Sequence, residues 1–128
     1  MSSPQSMEQL ANRLVRACET SNREELEKVY APEALIWHNF DRKEQSRADN
    51  IELLTNLAGL FNSFTVTQIR RNFFPGGYVQ QHVVKGEKKD GRPFELPACI
   101  IVTVRDGMIS RIDEYYDSAH DARPADQR

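Results

Sequence analysis

The sequence predicts a single α+β domain in which three N-terminal helices pack on a curved, mostly antiparallel sheet. Two observations lead to this prediction. Apolar residues recur mainly at helical spacing in the first 61 residues and alternate with polar residues from residue 64 onward. Pro-Gly and Asp-Gly pairs separate the later segments, and such pairs are typical of tight turns between strands. We expect a curved sheet covered by helices to form a cone-shaped cavity, where small molecules commonly bind.

Two helices are predicted at the start of the chain. The first spans about residues 6–20, and Ser6 with Gln9 resembles a capping box. The second begins after Asn22 and must end near Pro32, because proline cannot continue a helix.

A short strand and a third helix follow. The apolar run over residues 34–38 predicts a buried strand, residues 39–46 predict a polar loop, and residues 47–61 predict a helix. The strand is unusual because Trp37 is followed directly by His38, with no turn residue between the apolar and the polar part. We interpret this as a strand that delivers polar side chains to the mouth of a pocket.

The rest of the chain predicts an antiparallel meander. Its four strands are expected at residues 64–74, 78–87, 94–105 and 108–117. No repeat or linker divides the 128 residues, so the chain is expected to be one domain, 1–128, with a core at about 6–118 and polar tails.

The turn between the second and third strands of the meander indicates which side chains face inward. A three-residue loop at 89–91 pairs His82 with Ala98 and places Gln80 on the same inward face. A two-residue loop would instead turn Gln81 inward, because a shift of one residue exchanges the two faces of a strand.

The last strand carries a candidate acid. Glu114 and Ile112 share one face, whereas Ile109 falls on the opposite face, which is mostly charged. We therefore expect Glu114 to face the cavity. A carboxylate in apolar surroundings needs a partner, and His38 and His82 are the obvious candidates.

Composition argues against several functional classes. Lys and Arg (17) nearly balance Asp and Glu (19), so no nucleic-acid partner is expected. The three histidines and two cysteines show no metal-ligand spacing, so no metal is expected. The N-terminus lacks the apolar segment of a signal peptide, and no apolar run is long enough to cross a membrane. We therefore expect a cytoplasmic protein with no membrane partner.

Three stretches of the chain carry a resemblance to a known family. They are YAPEAL at residues 30–35, LAGLF at residues 57–61, and the DG-M-I…EYYD stretch at residues 106–117. Together they resemble the SnoaL-like branch of the nuclear-transport-factor-2-like superfamily, with ketosteroid isomerases, polyketide cyclases and limonene-epoxide hydrolases as relatives. The resemblance covers about residues 6–118 and implies the fold above, a hydrophobic small-molecule ligand and pairing into a homodimer.

Site residues carry over only in part. The carboxylate base of ketosteroid isomerases falls on His38, and their two oxyanion donors fall near Leu14 and Ile100, which cannot donate a proton. In limonene-epoxide hydrolases the water-holding pair falls on Trp37 and Asn39. The final-strand aspartate of these hydrolases falls on Glu114, and their middle-strand Arg-x-Asp pair falls near His82 and Val84.

The sequence therefore predicts a small cofactor-independent enzyme that uses acid–base chemistry for isomerisation, cyclisation or dehydration. His38 is the predicted base, and Glu114 and His82 are predicted to polarise the substrate or relay a proton. The predicted ligand-contacting residues are Trp37, Asn39, Phe64, Val66, Gln80, Ile100 and Tyr116. The alternatives are a non-catalytic binding or dimeric association module and an epoxide hydrolase with an altered site.

The expected homodimer also has support in the strand pattern. The predicted outward positions of the later strands are too apolar in part to face water alone. These positions are Thr65, Thr67, Ile69, Cys99, Ile101 and Thr103.

Overall fold

Three helices lie against one six-stranded sheet in the computed structural model, which describes residues 3–121. The elements are α1 (Pro4–Glu19), α2 (Arg23–Val29), β1 (Tyr30–His38), β2 (Glu44–Ser46), α3 (Arg47–Ala58), β3 (Phe61–Phe74), β4 (Gly77–Lys88), β5 (Pro93–Arg105), β6 (Met108–Tyr116) and a 3-10 turn (Ser118–His120). The strand order is β2-β1-β6-β5-β4-β3, and every neighbouring pair is antiparallel except β1 with β6. The predicted α+β class is confirmed.

The first two helices begin at polar caps. The hydroxyl oxygen of Ser3 accepts a hydrogen bond from the backbone N–H of Ser6, so α1 starts two residues before the predicted start. Asn22 caps α2 as predicted, because its side-chain oxygen accepts from the N–H of Glu25. One face of α1 is buried against the sheet through Met7, Leu10, Ala11, Leu14 and Ala17.

The segment after α2 differs from the prediction. The strand β1 begins at Tyr30, directly after the helix, rather than at residue 34. The predicted polar loop at 39–46 contains β2, which pairs with Leu35–Trp37. This edge strand is short and polar, so it leaves no hydrophobic pattern in the sequence. The predicted tail begins with the 3-10 turn, and residues 122–128 lie outside the described part.

The hairpin between β4 and β5 has the predicted three-residue loop. Gly91 has a φ of 88°, and its N–H donates to the carbonyl of Lys88. Val84 pairs with Leu96 and His82 pairs with Ala98, as expected from that loop. The predicted register is confirmed, and the inward position of Gln80 follows from it.

Two β-bulges adjust which side chains face inward. In β6 the register with β5 shifts between Thr103 and Val104, so that Ser110 is the additional residue. Ile109 is consequently fully buried, although strict alternation placed it on the outward face. In β3 the register with β4 shifts next to Gln68, whose φ is 53°, directly across from His82.

The core lies between the helices and the inner face of the sheet. One row of side chains crosses five strands there and is apolar except for the Tyr78 hydroxyl. We refer to Ile36, Ile112, Val102, Tyr78 and Phe73 as the apolar row. Within residues 3–121 no helix is long and apolar enough to cross a membrane.

Candidate active site

A cavity of about 180 Å³ lies between α1, α3 and the inner face of the sheet. Its walls are mostly apolar, with residues such as Leu54, Leu57, Phe61, Phe64 and Phe94. A dry cavity of about 150 Å³ is large enough to bind benzene. The space therefore fits a guest of about one ring.

A polar row crosses the sheet beside the apolar row. His38 on β1 lies opposite Glu114 on β6, and Glu114 lies opposite Ile100 on β5. Ile100 lies opposite Gln80 on β4, and Gln80 lies opposite Arg71 on β3. We call these five residues the polar row, with Ile100 as its one apolar member.

His38 and Glu114 form a close pair. Nε2 of His38 lies 3.0 Å from Oε1 of Glu114. A carboxylate can only accept hydrogen bonds, so the imidazole of a neutral His38 must carry its proton on Nε2 to donate here. The His38 side chain is 5% exposed and that of Glu114 is 27% exposed, so Glu114 is the more accessible member.

A second set of polar contacts occupies the other end of the polar row. Arg71 donates from Nη1 to Oδ1 of Asn12 at 2.7 Å and from Nε to Oε1 of Gln80 at 2.8 Å. Nε2 of Gln80 lies 2.9 Å from Nδ1 of His82. Burial lowers the pKa of His82, nearby Glu114 opposes this shift, and Arg71 adds to it.

The helical side of the cavity adds a hydroxyl, an amide and a thiol. The Tyr30 hydroxyl donates to Oδ1 of Asn50 at 2.9 Å, and burial raises the pKa of Tyr30 well above its usual value. Burial, with smaller contributions from Glu114 and Glu19, raises the pKa of the Cys18 thiol to about 12. Both groups therefore stay protonated near neutral pH and cannot serve as bases there.

Aromatic residues and one carboxylate lie at the β6 end of the cavity. The Tyr116 hydroxyl donates to Oδ2 of Asp121 at 2.8 Å, and both residues line the cavity. The ring of Phe40 lies 5.5 Å from that of Tyr116 and 5.6 Å from that of His38. Asp121, which was predicted to lie in the polar tail, thus forms part of the cavity wall.

Most of the predicted site residues meet in this cavity. They are His38, Phe64, Val66, Gln80, His82, Ile100, Glu114 and Tyr116. The sequence missed Cys18, Tyr30, Asn50 and Asp121. Of these four, Asn50 could have been found from the sequence, because it is a polar residue beside Ile51 on the apolar side of a predicted helix.

Trp37 and Asn39 were predicted at the cavity and do not line it. Side chains alternate along β1, so Ile36 and His38 face the cavity and Trp37 lies on the other face of the sheet. The Trp37 ring packs there against Tyr115 at 5.4 Å. The side-chain oxygen of Asn39 accepts from the backbone N–H of Tyr116 at 3.1 Å, so Asn39 fixes the end of the strand.

No group of three His, Cys, Asp or Glu side chains within residues 3–121 is placed to hold a metal ion. The polar groups of the cavity are instead an imidazole–carboxylate pair, a second imidazole and neutral hydrogen-bonding side chains. Such a set can accept and donate protons near neutral pH.

Comparison with known proteins agrees with the fold. The family model of the SnoaL-like domain matches residues 11–112. No significant match was found among curated protein sequences.

Solved structures of similar fold were found, and they agree with the family match. A candidate polyketide cyclase from Xanthomonas campestris pv. campestris is 18% identical, with 92% of this chain and 95% of that one covered and a TM-score of 0.80. IdmH, a candidate polyketide cyclase from Streptomyces antibioticus, is 19% identical (88% and 93% covered, TM-score 0.79). A protein of ketosteroid isomerase-like fold from Catenulispora acidiphila, in complex with trimethylamine, is 17% identical (98% and 98% covered, TM-score 0.76). At these identities the likeness shows the fold.

Proposed function

The chain belongs to the SnoaL-like domain family, and we propose that it is a cofactor-independent enzyme for acid–base chemistry on a small, mostly apolar carbonyl compound. The observation that carries this proposal is the His38–Glu114 pair, held at 3.0 Å in a mostly apolar cavity. The reaction class is proton abstraction next to the carbonyl, which leads to isomerisation, cyclisation or dehydration. The candidate polyketide cyclases among the structural neighbours support this class.

The two members of the pair have different roles in this proposal. The sequence predicted His38 as the base, but its Nε2 is occupied by Glu114. The more accessible carboxylate of Glu114 therefore accepts the substrate proton, and His38 positions it. The α C–H bond breaks, an O–H bond forms on Glu114, and the electron pair moves to the carbonyl oxygen as an enolate. Return of the proton to another carbon completes an isomerisation.

The size of the cavity narrows the substrate class. About 180 Å³ is enough for a compound of about one ring. We therefore propose single-ring ketones or similar carbonyl compounds as substrates.

The proposal can be tested without knowing the natural substrate. Abstraction and return of a proton in D2O replace the α-hydrogen of a ketone with deuterium, which proton NMR detects. We expect the wild type to accelerate this exchange for a panel of single-ring ketones such as cyclohex-2-enone and acetophenone. Glu114→Gln keeps the shape and removes the base, and exchange should fall about 10²-fold or more.

The adjacent carboxylate provides the matched control. Asp113 lies on the outward face and bonds to Arg111, so Asp113→Asn should exchange at the wild-type rate. Equal exchange by the wild type and Glu114→Gln would contradict the proposal.

A non-catalytic binding module is the second candidate. It is favoured by Leu14 and Ile100, two apolar lining residues near which the resemblance puts the oxyanion donors of ketosteroid isomerases. Wild-type protein that binds the ketones in the cavity without exchanging their protons would support this reading. An epoxide hydrolase is not favoured, because the side chain of Asn39 bonds to the backbone of β6 and does not line the cavity.

We also propose a homodimer formed through the outer face of the sheet. Ile69 is 36% exposed and Tyr115 is 43% exposed on that face, which also carries the half-buried Ile101. Analytical ultracentrifugation should show a dimer at micromolar protein and a monomer for Ile101→Arg. A monomeric wild type would contradict this assembly.

A further inference from the structure

The hydrogen-bond chain from Arg71 through Gln80 to His82 has a fixed direction. A guanidinium carries only N–H donors, so the side-chain oxygen of Gln80 must face Arg71. The amide NH2 of Gln80 then faces His82, and it can only donate. Nδ1 of His82 must therefore accept this hydrogen bond. A neutral imidazole carries one proton, and in His82 that proton lies on Nε2.

The same contacts oppose a charged His82. Both nitrogens of a protonated imidazole are donors, so Nδ1–H would meet the NH2 group of Gln80. The buried setting and the positive charge of Arg71 both lower the pKa of His82. The charge of Glu114 raises the pKa of His82, but by less than burial lowers it. His82 is thus a neutral ring with one N–H donor at Nε2.

We propose that Arg71 and Gln80 are positioning residues that hold His82 in its Nε2–H form, so that His82 donates a hydrogen bond to the substrate carbonyl oxygen. The tautomer follows from the contacts of this chain alone. The role toward substrate rests on the proposed function.

The chemistry explains why such a donor is useful. When Glu114 removes the α-proton, negative charge develops on the carbonyl oxygen, and a preorganised donor stabilises that charge. A neutral imidazole can serve as this donor. Leu14 and Ile100, near which the resemblance puts the ketosteroid isomerase donors, line the cavity and cannot donate. His82 supplies a donor from β4 instead.

The placement of the two groups suits a small ring. The strand β5 separates β4 from β6, so these two strands are about 10 Å apart, and His82 lies two residues further along the sheet than the position level with Glu114. Both side chains line the same cavity, with Ile100 between their strands. A single-ring ketone can place its oxygen toward β4 and its α-carbon toward β6.

The tautomer is measurable without any substrate. Two-dimensional 15N–1H NMR of the histidine rings distinguishes a protonated from an unprotonated ring nitrogen. We expect wild-type His82 to show a protonated Nε2 and an unprotonated Nδ1 at neutral pH and above. A proton on Nδ1, or a charged ring at neutral pH, would overturn the proposal.

Substitution of Gln80 tests the positioning role. In Gln80→Glu the carboxylate can only accept, so at a pH high enough to keep the ring neutral the proton of His82 should move to Nδ1 and ketone exchange should fall about 10²-fold. If this buried charge prevents folding, Gln80→Met carries the test, because loss of the amide donor should give a mixture of both tautomers. Gln81→Glu, on the exposed outward face, is the control and should change neither signal.

The outcomes separate the positioning of His82 by Arg71 and Gln80 from the role of His82 toward substrate. A single Nε2–H tautomer retained in Gln80→Met would overturn the positioning role. Unchanged ketone exchange in Gln80→Glu with an inverted tautomer would overturn the role of His82 toward substrate. A wild type that exchanges no ketone but shows the expected tautomer would overturn the proposed function and support the positioning of His82.

Discussion

Glu114 and Asp113 are neighbouring carboxylates on β6 with opposite surroundings. Asp113 lies on the outer face, where its carboxylate accepts from Arg111, which also contacts Glu44. Glu114 lies on the inner face, where it borders an apolar cavity and meets His38. Exposed ion pairs contribute little, because water already stabilises both charges. A carboxylate beside an apolar cavity interacts far more strongly with its few partners.

One bulge decides which of the two carboxylates enters the cavity. Counting by strict alternation from the buried Ile109 would turn Asp113 inward. The additional residue at Ser110 reverses this parity, so Ile112 and Glu114 face inward. Two similar acids in sequence thus acquire different chemistry from a single irregularity in strand pairing.

The largest contrast in stability is expected between two adjacent isoleucines of β5. Ile100 is buried on the inner face, and Ile101 is half-buried on the outer face. Ile100→Ala should lower the free energy of unfolding by about 2–5 kcal/mol, toward the lower end because the side chain already borders a cavity. Ile101→Ala should cost clearly less, as urea denaturation at low protein concentration would show. Equal costs would contradict the assignment of the two faces.

Two buried tyrosines on the inner side of the sheet also differ in their surroundings. The buried Tyr30 hydroxyl donates to Asn50, whereas the buried Tyr78 hydroxyl has no hydrogen-bond partner among residues 3–121. Tyr30→Phe leaves the oxygen of Asn50 unsatisfied and should cost about 1–3 kcal/mol. Tyr78→Phe removes an unpaired polar group, so thermal denaturation should show unchanged or higher stability. A large loss in Tyr78→Phe would mean that its hydroxyl is satisfied in solution.

A smaller effect is expected from acidification. The folded pKa of His82 lies below its unfolded value of about 6.5, so the unfolded chain takes up a proton first as the pH falls. Stability should be complete above about pH 6.5 and decline below it, by at most about 1.4 kcal/mol per pH unit from this group.

The slope can be assigned to His82 by substitution. His82→Asn should flatten the decline below about pH 6.5, whereas His120→Asn, at an exposed site beside Asp117, should leave it unchanged. Parallel slopes in the wild type and His82→Asn would contradict the buried, neutral state of His82.

The sequence could predict the parts of this site that depend on local rules. The spacing around Gly91 determined the register that turns His82 and Gln80 inward, and the fold class followed from the change in hydrophobic period. The inward position of Glu114 was also predicted. However, the same counting misplaced Ile109, because a bulge depends on tertiary packing rather than on local pattern.

Two other features had no local signal, and a third had one that the prediction did not use. The edge strand β2 is polar and three residues long, and its pairing with β1 is a tertiary contact. Trp37 was assigned to the cavity because it belongs to the apolar run before His38. Alternation with His38 along β1 places it on the other face of the sheet. Asn39 looked available for a ligand and is instead occupied by the backbone of Tyr116. For β2 and Asn39 the deciding neighbour comes from another part of the chain, whereas the position of Trp37 follows from local alternation.

The central claim is that the inner face holds the functional cavity and the outer face does not. Isoleucine methyl groups report on both faces, because Ile36, Ile100 and Ile112 line the cavity while Ile69 and Ile101 lie on the outer side. With methyl-labelled protein and a single-ring ketone, we expect intermolecular nuclear Overhauser effects from the ketone to the methyl groups of the three cavity isoleucines. We expect none to the methyl groups of the two outer isoleucines. Contacts with Ile69 and Ile101 alone would contradict the claim and place the binding surface on the other side of the sheet.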